Sequence, residues 1–122
     1  MSNVKPHSIA IATVTYNISQ EKRRPVYILT FTNEQITVFR ITSKFESKSS
    51  FIKSHYFEIL DWEEAGLRKP SWIDTMSTII LDMNAITIHS IGSLTPHDEK
   101  RLLSWLENTD HVRYIHTQKQ SD

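Results

Sequence analysis

Apolar stretches of strand length, separated by short polar runs, fill the first ninety positions of the chain. Ser8 to Tyr16 is rich in Ile, Val and Thr and reads as a strand. Asn17 to Arg24 is polar and strongly charged, which predicts a hairpin loop ending in Lys22-Arg23-Arg24. Pro25 to Phe31 is nearly all apolar and predicts a buried strand, with the proline tolerated as its first residue. Thr32-Asn33-Glu34 makes a turn. Gln35 to Thr42 then alternates Ile36, Val38 and Arg40 with Thr37, Phe39 and Ile41. The face with Arg40 is less apolar, so Phe39 and Ile41 are assigned to the core. Ser43 to Ser50 is a flexible polar loop containing Phe45, and Phe51 to Leu60 reads as a strand. Trp62 to Leu67 predicts one helical turn closed by Gly66. Trp72, Ile73 and Thr78 to Leu81 supply one or two more strands. Asp82-Met83-Asn84 is a turn, and Ala85 to Ile91 is a further strand broken by Gly92. Asn84 and Asn108 are the non-glycine residues suited to left-handed backbone.

A period near 3.6 emerges only after Ser93. Thr95 is a good N-cap, Pro96 fits the first helical position, and Asp98 and Glu99 suit the first turn. Leu102, Leu103, Trp105 and Leu106 form the apolar stripe, and Leu94 is placed to staple the helix start. Beyond Asp110 only Val112, Tyr114 and Ile115 are apolar, so residues 111–122 predict a flexible tail or a short docked strand. Five to seven short strands and one helix make the fold mainly β: a small, strongly bent sheet or barrel with a helix at its end. With 122 residues, no internal repeat and no linker, one domain spanning 1–122 is expected.

Composition excludes several classes. There is no cysteine, which removes disulfides, thiolate metal sites and a cysteine nucleophile. Two glycines, at 66 and 92, are too few for the phosphate loops and nucleophile elbows built on glycine spacing. No apolar run approaches a membrane span, and the first residues lack a signal-peptide pattern, so a soluble cytoplasmic protein is expected. Formal net charge is zero, yet residues 1–56 carry eight basic and three acidic side chains and the remainder the opposite bias. Such asymmetry points either to an anion-binding face or to two halves that attract each other in the fold. A neutral chain is a poor non-specific duplex binder, which leaves a focused site for single-stranded nucleic acid.

Six histidines (His7, His55, His89, His97, His111 and His116) show no metal-ligand spacing, so no metal site is expected. His55 and His89 read as surface or satisfied strand residues. Glu63-Glu64 and Asp98-Glu99 are adjacent carboxylates that point apart, and they read as exposed helix-start charges. Trp62 and Trp72 flank the acidic turn and can pack across it; for Trp72 the alternative is base stacking. The remaining feature is Lys22-Arg23-Arg24-Pro25 at the start of one strand and Thr42-Ser43-Lys44 at the end of the next. If those strands pair as a hairpin, Arg24 and Thr42 share one rim. A guanidinium with hydroxyls there can hold a phosphate and stabilise a pentacovalent intermediate. The plainer reading is an exposed basic loop and a strand cap.

At these residues the chain resembles the MazF/PemK toxin family. Arg24-Pro25-Val26 before an apolar strand and Val38-Phe39-Arg40-Ile41-Thr42-Ser43 are similar to that family's motifs. So are Leu67-Arg68-Lys69-Pro70-Ser71-Trp72-Ile73 and Ile91-Gly92-Ser93-Leu94-Thr95, in the same order. The resemblance implies an SH3-like barrel with a C-terminal helix, a homodimer, and a cytoplasmic endoribonuclease that cuts single-stranded RNA without metal or cofactor. It implies Arg24 and Thr42 as the catalytic pair; Lys22, Arg23, Ser43, Lys44 and Trp72 are the residues expected to bind substrate around them. It also implies an acidic antitoxin partner that covers the site. Two departures stand out. The family's Gly-Asp near the first strand is missing, and its acidic residue and arginine after the KPS segment are replaced by Met76 and Ile79. A catalytically inactive SH3-like module that binds protein or RNA is therefore the alternative, and a barrel used only for dimerisation is a third.

Overall fold

The computed structural model describes residues 5–17, 20–107 and 114–118, and the side chains of 5–13 and 22–107. Expectations for Asn108 and for His111 to Arg113 lie outside these residues. The described chain forms seven strands and two helices: β1 (Ser8–Asn17), β2 (Gln20–Phe31), β3 (Gln35–Thr42), α1 (Ser50–Lys53), β4 (Tyr56–Ile59), β5 (Ser71–Asp82), β6 (Ile86–Ser93), α2 (Pro96–Leu106) and β7 (Tyr114–Gln118). One antiparallel path runs β4-β5-β3-β2-β1-β6, and β7 joins β5 in parallel.

The charged run from Glu21 to Arg24 is strand, not loop. Lys22, Arg23 and Arg24 lie in β2 opposite Val14, Thr13 and Ala12. The β1 ladder holds them in extended conformation, so their charge marks exposure rather than a break in structure. Pro25 is accordingly internal to β2, not its first residue. Pairing between β2 and β3 begins at Val26–Arg40, directly after the residue that has no N–H to donate. The two strands thus separate at Pro25 while β1 continues alongside.

β3 buries both faces. Phe39 and Ile41 join a core cluster with Ile9, Tyr27, Phe57, Ile59, Ile73 and Leu102. Ile36 and Val38 join a second with Ala10, Ala12, Val26, Ile28 and Leu81. Arg40 misled the reading of that face: it alone reaches out, to Asp74 at 3.5 Å. Trp72, Ile73 and Thr78 to Leu81 belong to one twelve-residue strand. β5 is irregular between Asp74 and Ile79 on its β3 side, and on its other side it passes from β4 to β7.

Phe51 does not start a strand. Ser49 caps α1, its hydroxyl accepting from the Ile52 N–H, and β4 begins at Tyr56. A serine-capped turn overrode the β propensity of Phe51 and Ile52. β6 continues through Gly92 to Ser93, with a bulge between its Gly92 and Ser90 pairings. Among the described residues the one non-glycine with positive φ is His7, not Asn84. The His7 ring nitrogen lies 2.5 Å from the Tyr27 hydroxyl, and burial, with a contribution from Glu99, raises that phenol well above its ordinary value.

α2 follows its sequence signals closely. Thr95 caps it, Pro96 opens it, and Leu94 and Leu102 are buried. Trp105 meets Phe57 edge-on at 5.7 Å and donates from Nε1 to Thr75 Oγ1 at 2.9 Å. Leu103, assigned to the apolar stripe, is 55% exposed. It lies one residue beyond Leu102, about 100° around the helix, which turns it off the core.

Candidate functional site

The parting of β2 and β3 opens a cleft of about 590 Å³. Its apolar lining is Ile11 of β1, Pro25 of β2, Ile41 of β3, Ile91 of β6, and Leu67. Arg23, Arg68, Lys69 and His89 supply its nitrogen-bearing side chains, and Thr42, Ser43 and Ser71 its hydroxyls. Among the described residues, no carboxylate lines it. The charge therefore favours an anionic ligand and the apolar lining a partly planar one. Neither half of the chain makes this site alone: Arg23 comes from the basic half, and Arg68 and Lys69 from the acidic one.

The wall bearing Arg68 and Lys69 is set by a turn that the sequence announces. Leu67 N–H bonds to Trp62 C=O and Gly66 N–H to Glu63 C=O, with Gly66 at φ +99°. This pair of bonds is the Schellman closure of a helical turn. A Cβ on Gly66 would lie 2.3 Å from the Ile91 carbonyl oxygen, and one on Gly92 2.0 Å from that of Ala65. The chain's two glycines thus let the turn and the β6 bulge touch backbone to backbone, which sets Arg68 and Lys69 across from Ile91 and His89.

Of the residues singled out from sequence, Arg23, Thr42 and Ser43 line the cleft together. Arg24 is exposed on β2 between the lining residues Arg23 and Pro25, and is not itself part of the lining. The β2–β3 pairing ends at Val26–Arg40, two residues short of Arg24 and Thr42, so the ladder itself does not join those two. Lys22 and Lys44 are exposed, and the Lys44 N–H donates to Thr42 Oγ1 at 3.0 Å. Trp72 pairs with Thr42 across β5 and β3, and Phe45 stacks on its ring at 4.7 Å and 10°. Trp62 packs instead against the cluster that holds Phe57 and Leu102. Arg68, Lys69 and His89 were not singled out as site residues. Alternation along β6 puts His89 on the face opposite Ile88, but periodicity cannot reveal Arg68 and Lys69, which a turn brings in.

A second polar cluster lies at the start of α2. Asp98, expected to be exposed, is fully buried. It accepts from the Asp61 N–H at 2.7 Å and from Arg101 Nη1 at 2.6 Å. Asp61 accepts from the Thr95 hydroxyl at 2.6 Å, with His97 Nδ1 at 3.3 Å. These bonds, the Thr95 hydroxyl first, hold the Asp61 carboxyl below its ordinary value of 3.8. Asp61, His97 and Asp98 bring potential metal-ligand atoms within 4.8 Å of one another. Their oxygens already accept from Thr95, the Asp61 N–H and Arg101, so the cluster is accounted for as the lock between α2 and the 61–67 turn.

No protein-family model matches the chain, and no curated protein matches it. Solved structures do match. The Mycobacterium tuberculosis toxin MazF-mt6 aligns over 84% of this chain and 96% of its own, with a TM-score of 0.59 and 21% identity. A second Mtb toxin structure aligns over 79% and 97%, with a TM-score of 0.55 and 22% identity. The chain has a MazF-like fold. The four segments that carried the resemblance in sequence all contribute to the cleft of this MazF-like domain, through Pro25, Ile41 to Ser43, Leu67 to Lys69 with Ser71, and Ile91. No helix among its described residues is long and apolar enough to cross a membrane.

Proposed function

We propose that this MazF-like chain is an endoribonuclease toxin of a toxin–antitoxin pair, acting in the cytoplasm as a homodimer on single-stranded RNA. The observation that carries the reading is the cleft walled by Arg23, Arg68 and Lys69 beside the hydroxyls of Thr42 and Ser43, with no carboxylate among its described lining residues. Fixed cations there would bind phosphates along a strand, and open apolar surface would accept a sugar or base. In the proposed reaction the ribose 2′-hydroxyl attacks the adjacent phosphate. The products are a cyclic phosphate and a 5′-hydroxyl, and no metal is required. Thr42 holds the scissile phosphate and Arg24, at the rim, stabilises the phosphorane charge. Arg23 and Ser43 bind substrate, joined by Lys22, Lys44 and Trp72 around the site. An acidic antitoxin segment would compete for the same cations.

The test is cleavage of a long single-stranded RNA of mixed sequence by the purified chain in a chelator. Arg24→Ala is expected to lower the rate at least a hundredfold, the loss typical of removing one donor to transition-state charge. Its exposed position makes unfolding an unlooked-for cause, which circular dichroism checks. Wild-type cleavage by Arg24→Ala with loss in Arg23→Ala would move the catalytic guanidinium one residue along β2.

A second reading has its own support. Met76 and Ile79 stand where the resemblance expects an acid and an arginine, and Arg24 is not part of the cleft lining. On that reading the domain binds RNA or an acidic protein segment in the cleft without cutting. Tight binding of intact RNA with no fragments on prolonged incubation would select it.

A further inference from the structure

His89 lies on β6 opposite Ile11 of β1 and is exposed. Its neighbour Ile88 packs into the cluster of Ala12 and Val26, so strand alternation sends His89 to the other side, where it lines the cleft. The bulge that follows leaves Ile91 on that side as well. Around the cleft His89 is faced by Arg23 from β2 and by Arg68 and Lys69 from the 66–71 segment; Ile11 and Ile91 beside it are apolar.

A ribose 2′-hydroxyl must lose a proton to become a nucleophile. Arginine and lysine at neutral pH are already protonated, and serine and threonine hydroxyls are far too weakly basic to accept one. Histidine is the side chain whose ordinary charge change falls between pH 5 and 8. Among the described residues that line the cleft, His89 alone has that capacity.

We propose that His89 is the general base of this site, an inference that rests on the ribonuclease reading. The neutral imidazole takes the 2′-hydroxyl proton as the O2′–P bond forms. The P–O5′ bond then breaks, and the departing 5′-oxygen takes a proton from water. His89 returns its proton to solvent, so the turnover balances without a cofactor. Arg23, Arg68 and Lys69 bind the phosphates on either side and take no part in the proton transfer.

The test compares wild type, His89→Gln and His89→Ala in three measurements. One is the cleavage rate of a long mixed-sequence single-stranded RNA from pH 5 to 8.5. Another is binding of a 2′-deoxy oligonucleotide pool, which cannot be cut by this route. The third is rescue of His89→Ala by added imidazole. The expected result is a wild-type rate that rises with pH from the acidic end of that interval. His89→Gln should be slower by about 10²-fold or more at pH 7.5 and lose that acidic limb. Oligonucleotide binding should change less than about twofold, and imidazole should restore part of the His89→Ala rate. Wild-type rates in His89→Gln, or a slow variant that keeps the acidic limb and gains nothing from imidazole, would overturn the base assignment and leave the nuclease standing. A wild-type chain that binds the pool but never cleaves RNA would overturn both.

Discussion

Single residues in this fold are governed by who shares their hydrogen bonds. Thr95 accepts from the Asp98 N–H as the helix cap and donates its own proton to Asp61. Thr95→Val keeps the shape and removes both roles. The expected cost is about 1 kcal/mol at pH 7, measured by urea unfolding. The pH dependence has a definite sign. A carboxyl held below its ordinary value adds stability above that value and loses it as pH falls through the folded one. Wild type should therefore lose part of its stability below about pH 4 through Asp61, and Thr95→Val should lose less over that interval. The cap was legible in sequence because N-cap chemistry is local. The burial of Asp98 was not, because its partners Asp61 and Arg101 lie on a distant turn and one helical turn ahead. Arg40 shows the same limit: a single exposed cation disguised a strand face that is otherwise core.

Elements were legible where the signal is periodic or terminal and illegible where strands bend. α2 and the turn closed by Gly66 carry end signals that need no tertiary context. The Lys22-Arg23-Arg24 run was read as loop because charge was taken for irregularity, whereas pairing with β1 makes it strand. Gly92 was read as a strand end. Its role is close approach: a methyl group there would meet the Ala65 carbonyl oxygen at 2.0 Å, and that atom belongs to rigid backbone. Gly92→Ala should cost about 2–3 kcal/mol, seen as a lowered thermal midpoint. It should also weaken RNA binding, since it displaces the segment that carries Arg68 and Lys69. A variant as stable as wild type would show that this contact can relax.

Across the whole molecule, the order of four short motifs foretold the fold better than any one of them foretold a site. Each motif supplies at least one residue to the cleft lining, which is why their order carried information that composition did not. Overall neutrality conceals the local field: the net charge is zero, while three fixed cations share one opening with no described carboxylate. Binding of single-stranded RNA should accordingly weaken with salt. The slope of log K against log salt should lie near about −2, from about −0.7 per phosphate neutralised. Lys69→Ala should flatten it by about 0.7, read by fluorescence anisotropy in a salt series. A slope near zero would mean that the cleft is not where RNA binds.

The paired glycines have a mechanical consequence. With peptide planes in direct apposition and no side chain between them to yield, the opening cannot breathe at that seam. The jaw that carries Arg68 and the strand that carries His89 move as one body. Adjustment to a bulky guest must come from the opposite lip, where proline has already unzipped two strands and the arginines stand on a single supporting neighbour.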